Sequence, residues 1–165
     1  MFEVLVFVYE NYWRGDACLE AQQLGRRLSA HGFEPSEIQD ALVWLDGLQC
    51  AAQSTQLPAI VPEPGLAEPA QPLHHSTSMR VYSVAEQDHL GAECLGFVSF
   101  LESSGVLPAA MREIVIDRAM AAPGDPVTLD DLKIIVLMVY WSMGEEPDAL
   151  VLDELCDDTQ DRVAH

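Results

Sequence analysis

Between Cys50 and Ser78 the chain carries five prolines, at positions 58, 62, 64, 69 and 72, and almost no charge. Each proline fixes φ and removes a backbone donor, so this stretch holds neither a regular helix nor a central strand. It reads as a long loop or disordered segment that divides the chain into residues 1–49, 50–78 and 79–165. Whatever core the protein builds must come from the two flanks.

Both flanks read as helical. Phe2 to about Trp13 is apolar except for Glu3, Glu10 and Asn11, which suits a helix packed on several sides; its β-branched content keeps a strand reading open. Asp16 offers an N-cap for a second helix through Ala30, with Leu24 and Leu28 inward and Gly32-Phe33 as its stop. Ser36-x-x-Gln39 has capping-box form, and Ile38, Ala41, Leu42, Leu45 and Leu48 mark one face of a third helix. Beyond the prolines, Met79-Arg80-Val81-Tyr82 alternates like a short edge strand.

Ser83-x-x-Glu86 then caps a helix with Leu90, Cys94, Phe97, Val98 and Leu101 at helical spacing, closed by Gly105-Val106. Pro108 opens a fifth helix with Met111, Ile114, Val115 and Ala119 on one face. Thr128, with Asp130 and Asp131 in the first turn, caps a sixth that is apolar all round from Ile134 to Met143 and forms the natural centre of a core. Leu150, Val151, Leu152 and Leu155 would anchor a short last helix.

These readings give a mainly α protein: an N-terminal trihelical unit, a proline-rich segment and a C-terminal helical unit beginning with a short strand, the two helical units packed together. Helix, helix, tight turn, helix, then a returning strand is also the order of a winged helix with a short β-wing. An unrelated helical bundle fits the same pattern equally well. In a winged helix the third helix would be the recognition helix, yet its exposed positions include Glu37, Asp40 and Asp46 and no cation. Such a helix lacks the donors that base edges and phosphates require.

The charge points the same way. The chain has 8 Lys and Arg against 27 Asp and Glu, a formal charge of −19, concentrated beyond residue 79. Phosphate backbones and anionic lipid heads are repelled by such a field, which disfavours direct nucleic-acid or membrane binding. A basic surface of Arg26, Arg27 and Arg80 on one face is the condition under which a nucleic-acid-linked regulator would still hold. The longest apolar run, Ile134 to Trp141, is far short of the ~20 residues needed to span a bilayer. Phe2 to Tyr9 has an acid where a signal peptide has bases. Cys18, Cys50, Cys94 and Cys156 lie far apart without a C-x-x-C, which suits a reduced, cytoplasmic setting.

No residue pattern specifies catalysis. The five histidines lie at no zinc-site spacing, and no phosphate-cradling glycine loop or nucleophile elbow occurs, so neither a metal nor a cofactor is expected. His89 near Asp88 and Glu93 permits an acid–base pair but suits a solvated helix face better, and Cys94 suits a buried thiol. The terminal acids from Glu145 to Asp161 lack calcium-loop spacing. Arg112-Glu113-x-x-x-Asp117-Arg118 stands out as a charge-rich cluster in a cation-poor chain. It is either a structural ion-pair network or part of a partner-binding surface. Arg112, Glu113 and Arg118, with Glu37 and Asp40, are the candidate partner-binding residues.

Several strings together resemble the bacterial Smg family: Met1-Phe2-Glu3-Val4-Leu5, Gly32-Phe33 with Ala41-Leu42-x-Trp44-Leu45, Ser78-Met79-Arg80-Val81-Tyr82, Gly96-Phe97 with Phe100-Leu101-Glu102, Arg112-Glu113-x-Val115-Ile116-x-Arg118, and Asp130-Asp131-Leu132-Lys133 with Val136-Leu137-Met138-Val139. The likeness covers nearly the whole chain outside the prolines, whose segment is expected to set this chain apart. It implies a small bacterial protein whose biochemical role is undefined. The residues and the resemblance lead to one expectation, a non-enzymatic cytoplasmic adaptor or regulator that binds another protein through an acidic helical surface.

Overall fold

The computed structural model describes residues 1–12, 21–56, 80–145 and 147. Among them are six helices: α1 (Phe2–Tyr12), α2 (Ala21–Ala30), α3 (Pro35–Gln56), α4 (Val84–Ser103), α5 (Ala109–Met120) and α6 (Leu129–Met143). Asp16, the expected cap of α2, the prolines at 58–72 and the expected last helix near Leu152 lie outside the described residues.

The core is organised around α6. Leu132 to Tyr140 are all buried, and α6 packs against α1, α3, α4 and α5. A helix apolar on every face is stable in water only when neighbours surround it, and here four do. Thr128 caps it by accepting a hydrogen bond from the Asp131 amide at 3.2 Å. At its far end the Glu145 amide returns to the Tyr140 carbonyl at 3.1 Å. Although α1 is a helix rather than a strand, it is less central than its apolar sequence implies: Val4, Leu5 and Val8 are buried. Those three lie on one stripe at i, i+1 and i+4, directed at α3 and α6.

Helix α2 turns Leu24 and Leu28 inward, and the Phe33 amide folds back to the Leu28 carbonyl, the stop expected from Gly32-Phe33. The expected capping box at Ser36 does not form. Pro35 already occupies the first helical position, where its missing N–H costs nothing, and the Glu34 carbonyl accepts from the Ile38 amide at 3.0 Å. Helix α3 also continues past Leu48 to Gln56, so the charge-poor stretch begins as helix. Its own prolines start only at position 58.

The short β-wing is a correction. No strand occurs among the described residues, and Arg80, Val81 and Tyr82 form an irregular lead into α4. An extended tripeptide needs a neighbouring strand to complete its ladder. Here the local polar groups serve α4 instead: Gln87 donates to the Tyr82 carbonyl at 2.7 Å, and Ser83 and Glu86 form the expected capping box. Without the wing, the winged-helix order is not supported, and a helical bundle is what the described residues build. Helices from both sides of the proline-rich segment share one core, with α3 against α5 and α6 and α1 against α6.

Inside α4 the helix is broken at Gly91, whose φ of 70° and ψ of 170° lie in a region essentially restricted to glycine. The break leaves the His89 carbonyl available to a group outside the helix. The Val127 amide donates to it at 2.8 Å, and the Cys94 thiol donates to the Val127 carbonyl at 3.4 Å. The connection between α5 and α6 is thereby fastened to α4 on both sides of the break.

Candidate functional site

Arg112 lies in the first turns of α5 with its neighbours Met111 and Ile114 buried, and is itself buried. A guanidinium in that position needs carboxylates. It finds Glu102 on α4 and Glu113 beside it, the latter at 2.7 Å. Glu113 in turn accepts from Nε of Arg80 at 2.9 and 3.0 Å, and the other Arg80 nitrogens reach Glu86 at 2.7 and 3.3 Å. The result is a continuous chain, Glu102–Arg112–Glu113–Arg80–Glu86, that joins α4, α5 and the lead into α4.

The electrostatics follow from this geometry. Hydrogen bonds from Arg80, then from the Ser83 backbone, hold the Glu86 carboxyl down at about 2. For Glu113 desolvation works the other way, but hydrogen bonds from Arg80 and Arg112 outweigh it and leave its pKa lowered. Bonds to Glu86 and Glu113 raise that of Arg80. A carboxylate whose pKa is depressed by folding stabilises the fold above its ordinary pKa and loses that contribution as pH falls. The Glu86 contribution is therefore complete above pH 4.5 and disappears between 4.5 and about 2. Urea titrations across that window should show stability falling with acidity, and the fall should be shallower in Arg80→Gln. Arg112→Ala should cost about 1–3 kcal/mol in the same assay at neutral pH, because Glu102 loses its partner and Glu113 one of its two, while both carboxylates remain partly solvated.

Arg118 belongs to a different contact. Its guanidinium meets Asp117 at 2.6 Å and lies over Gly47 of α3, where a Cβ would stand 1.9 Å from Nη1. Glycine is what lets the arginine lie against that helix. The Arg118 carbonyl also accepts from the buried Trp44 indole at 3.0 Å, so α3 and α5 are tied by one residue through both backbone and side chain. Glu37 pairs with the Met1 amino group at 3.3 Å. Asp40 is exposed on α3. The five candidate residues thus fall into three places: Arg112 and Glu113 in the network, Arg118 at the α3–α5 crossing, Glu37 and Asp40 on the first half of α3.

Two surface grooves flank α3. One, of about 530 Å³, lies against α5 and is lined by Gly47, Cys50, Ala51, Ser54, Glu113 and Arg118 among others. The other, of about 430 Å³, lies between α3 and the pair α1 and α6; its walls include Val8, Leu24, Leu42, Leu45 and Trp141, with Asp46, Gln49 and Gln53 also lining it. The α3 residues lining it run from Leu42 to Gln53, three turns and ~16 Å of helix. Sequence reasoning missed this groove because four helices build it. Leu42 and Leu45, read in the sequence as part of one apolar face of α3, sit beside the buried stripe and remain partly exposed.

The remaining candidate side chains lie apart from both grooves. His89 places Nε2 3.2 Å from the Ala119 carbonyl and Nδ1 3.8 Å from Asp125, and it lines neither groove. Burial, then the charges of Glu93 and Asp131, push the Cys94 thiol up to about 11, away from nucleophilic reactivity at neutral pH. No cluster of three metal-ligating side chains occurs among the described residues. No described helix is long and apolar enough to cross a membrane. Arg80 is engaged by Glu86 and Glu113, whereas Arg26 and Arg27 sit on α2, which packs on α3. Arg80 thus lies on a different element from Arg26 and Arg27, and its charge is met by two carboxylates.

Comparison with known proteins adds the family. A family model described as "Protein of unknown function (DUF494)" matches residues 1–165. "Protein Smg homolog" of Leptothrix cholodnii is 58% identical over 169 residues and that of Methylibium petroleiphilum 58% over 165, each alignment covering 100% of both chains. The homologue from Bordetella pertussis is 48% identical over 167 residues, again with full coverage of both. These alignments run through the proline-rich segment, so it does not set this chain apart from these relatives as expected. No solved structure matches the chain. With full-length identity at this level, the chain belongs to the family of the Smg homologues.

Proposed function

We propose that the protein is a non-enzymatic cytoplasmic adaptor or regulator that binds another protein through its acidic helical surface, with the apolar groove along α3 as the principal contact. The groove carries this reading: it offers partly exposed Leu42, Leu45 and Trp141, bordered by the polar groups of Asp46, Gln49, Gln53 and Ser142. An apolar trough with a polar border is how helical proteins receive a partner segment. The reactive side chains give this reading further support. The arginines at 80, 112 and 118 are paired, His89 faces a backbone carbonyl and Cys94 is buried. A net charge of −19 favours a basic partner over nucleic acid or an anionic membrane.

Photo-crosslinking in cells of a native host tests the reading. A crosslinker at Gln49 or Gln53 should give a discrete protein adduct that is absent when the same group is placed at Ser99 on α4. Absence of any adduct from the groove, or the same adducts from both helices, would sink it.

A further inference from the structure

We infer that residues 80–88 form an arm that opens as a unit from the break at Gly91, pivoting on the anchored His89 and Leu90, and is latched at its far end by the bridge from Arg80 to Glu113. The claim is separate from partner binding and stands without it. Three observations carry it. First, α4 is not one helix mechanically: the Gly91 conformation interrupts it, leaving two helical turns before the break and the rest after it. Secondly, burial differs across the break. No residue from Arg80 to His89 is buried, whereas Leu90 at the pivot and Cys94, Val98 and Leu101 beyond it are. Segments with few buried apolar contacts open at low cost, independently of the elements they adjoin.

Thirdly, the contacts holding the arm divide into a pivot and a latch. His89 meets the Ala119 and Val127 backbones next to the break. At the opposite end Arg80 reaches α5 through Glu113, with Tyr82 partly buried beneath the guanidinium at 4.6 Å. The Glu86 bonds to Arg80 and Ser83 lie within the arm and keep it rigid. Glu113 also lines the α3–α5 groove. A cationic group seated there competes with Arg80 for the same carboxylate, so groove occupancy and arm release share one acceptor.

Native-state hydrogen exchange on the full chain tests the inference. Amides of Gln87 to Leu90 should exchange faster than those of Val98 to Leu101 in the unmodified protein. In Arg80→Gln the first group should accelerate about tenfold or more, the loss expected for a charge-assisted contact, with the second unchanged. Arg80→Lys, which keeps the charge but loses the forked geometry, should fall between. Raising sodium chloride to molar concentration should accelerate the arm in the unmodified protein and have no further effect in Arg80→Gln. Equal acceleration on both sides of Gly91, or none on either, would overturn the arm. If Arg80→Gln does not fold, the salt response of the unmodified protein decides alone: selective acceleration supports the latch and a uniform or absent response removes it.

Discussion

Ile135→Ala is expected to destabilise the protein by about 2–5 kcal/mol, measured as a lowered urea midpoint with an unchanged slope. Ile135 is fully buried on α6, the helix that α1, α3, α4 and α5 all pack against. Removing its branched side chain deletes the transfer free energy of the lost carbons and leaves a cavity that four surrounding helices fill only partly. For a chain of this size the melting temperature should fall by about 5–15 °C. Val43→Ala on α3 is the contrasting case. Val43 is 62% exposed, and its truncation should shift stability by no more than about 0.5 kcal/mol. If the two variants unfold alike, α6 is not the centre of the fold.

Gly91→Val should be the second large effect. Nothing lies within 4 Å of a Cβ built there, so packing does not forbid a side chain. The backbone does, because φ 70° with ψ 170° is a conformation that β-branched L residues do not tolerate. Held in place, the substitution costs about 1–3 kcal/mol. Relaxed toward continuous helix, it would draw the His89 carbonyl back into the ladder and leave the Val127 amide without its acceptor. Either route separates α4 from the α5–α6 connection, and denaturation together with amide protection at Val127 would read it. Gly91→Ala should follow the same direction with a smaller cost, and a neutral or stabilising result for both would show that α4 runs straight.

Much of this architecture is legible in the sequence because local signals coincide with tertiary need. Ser83 with Glu86, Thr128 with Asp131, and the stops at Gly32 and Gly105 are short-range chemistry that the fold uses as written. The apolar girth of Ile134 to Met143 identifies the central helix for the same reason. Failures occur where a local signal has a nonlocal competitor. Pro35 displaces Ser36 as the start of α3, and the alternation of Met79 to Tyr82 yields no strand because Arg80 and Tyr82 serve the start of α4 and the contact with α5. Gly91 looks like an ordinary glycine in an apolar helix, since the Val127 amide that exploits its break lies far along the chain. The arginine–carboxylate cluster was visible only as Arg112, Glu113, Asp117 and Arg118 on one helix. Its extension to Arg80, Glu86 and Glu102 depends on how α4 crosses α5, and its apparent unity dissolves once Arg118 is seen to serve α3.

Two of the three tryptophans also make the molecule a self-reporting optical probe. Trp44 is buried with its indole fixed on the Arg118 carbonyl, while Trp141 is only partly covered and borders the apolar groove. Trp44 emission should therefore register unfolding, and Trp141 emission should register what enters the groove while the fold stays intact. Replacing Trp13 and either one of these by phenylalanine separates the two colours of that signal without attaching any dye.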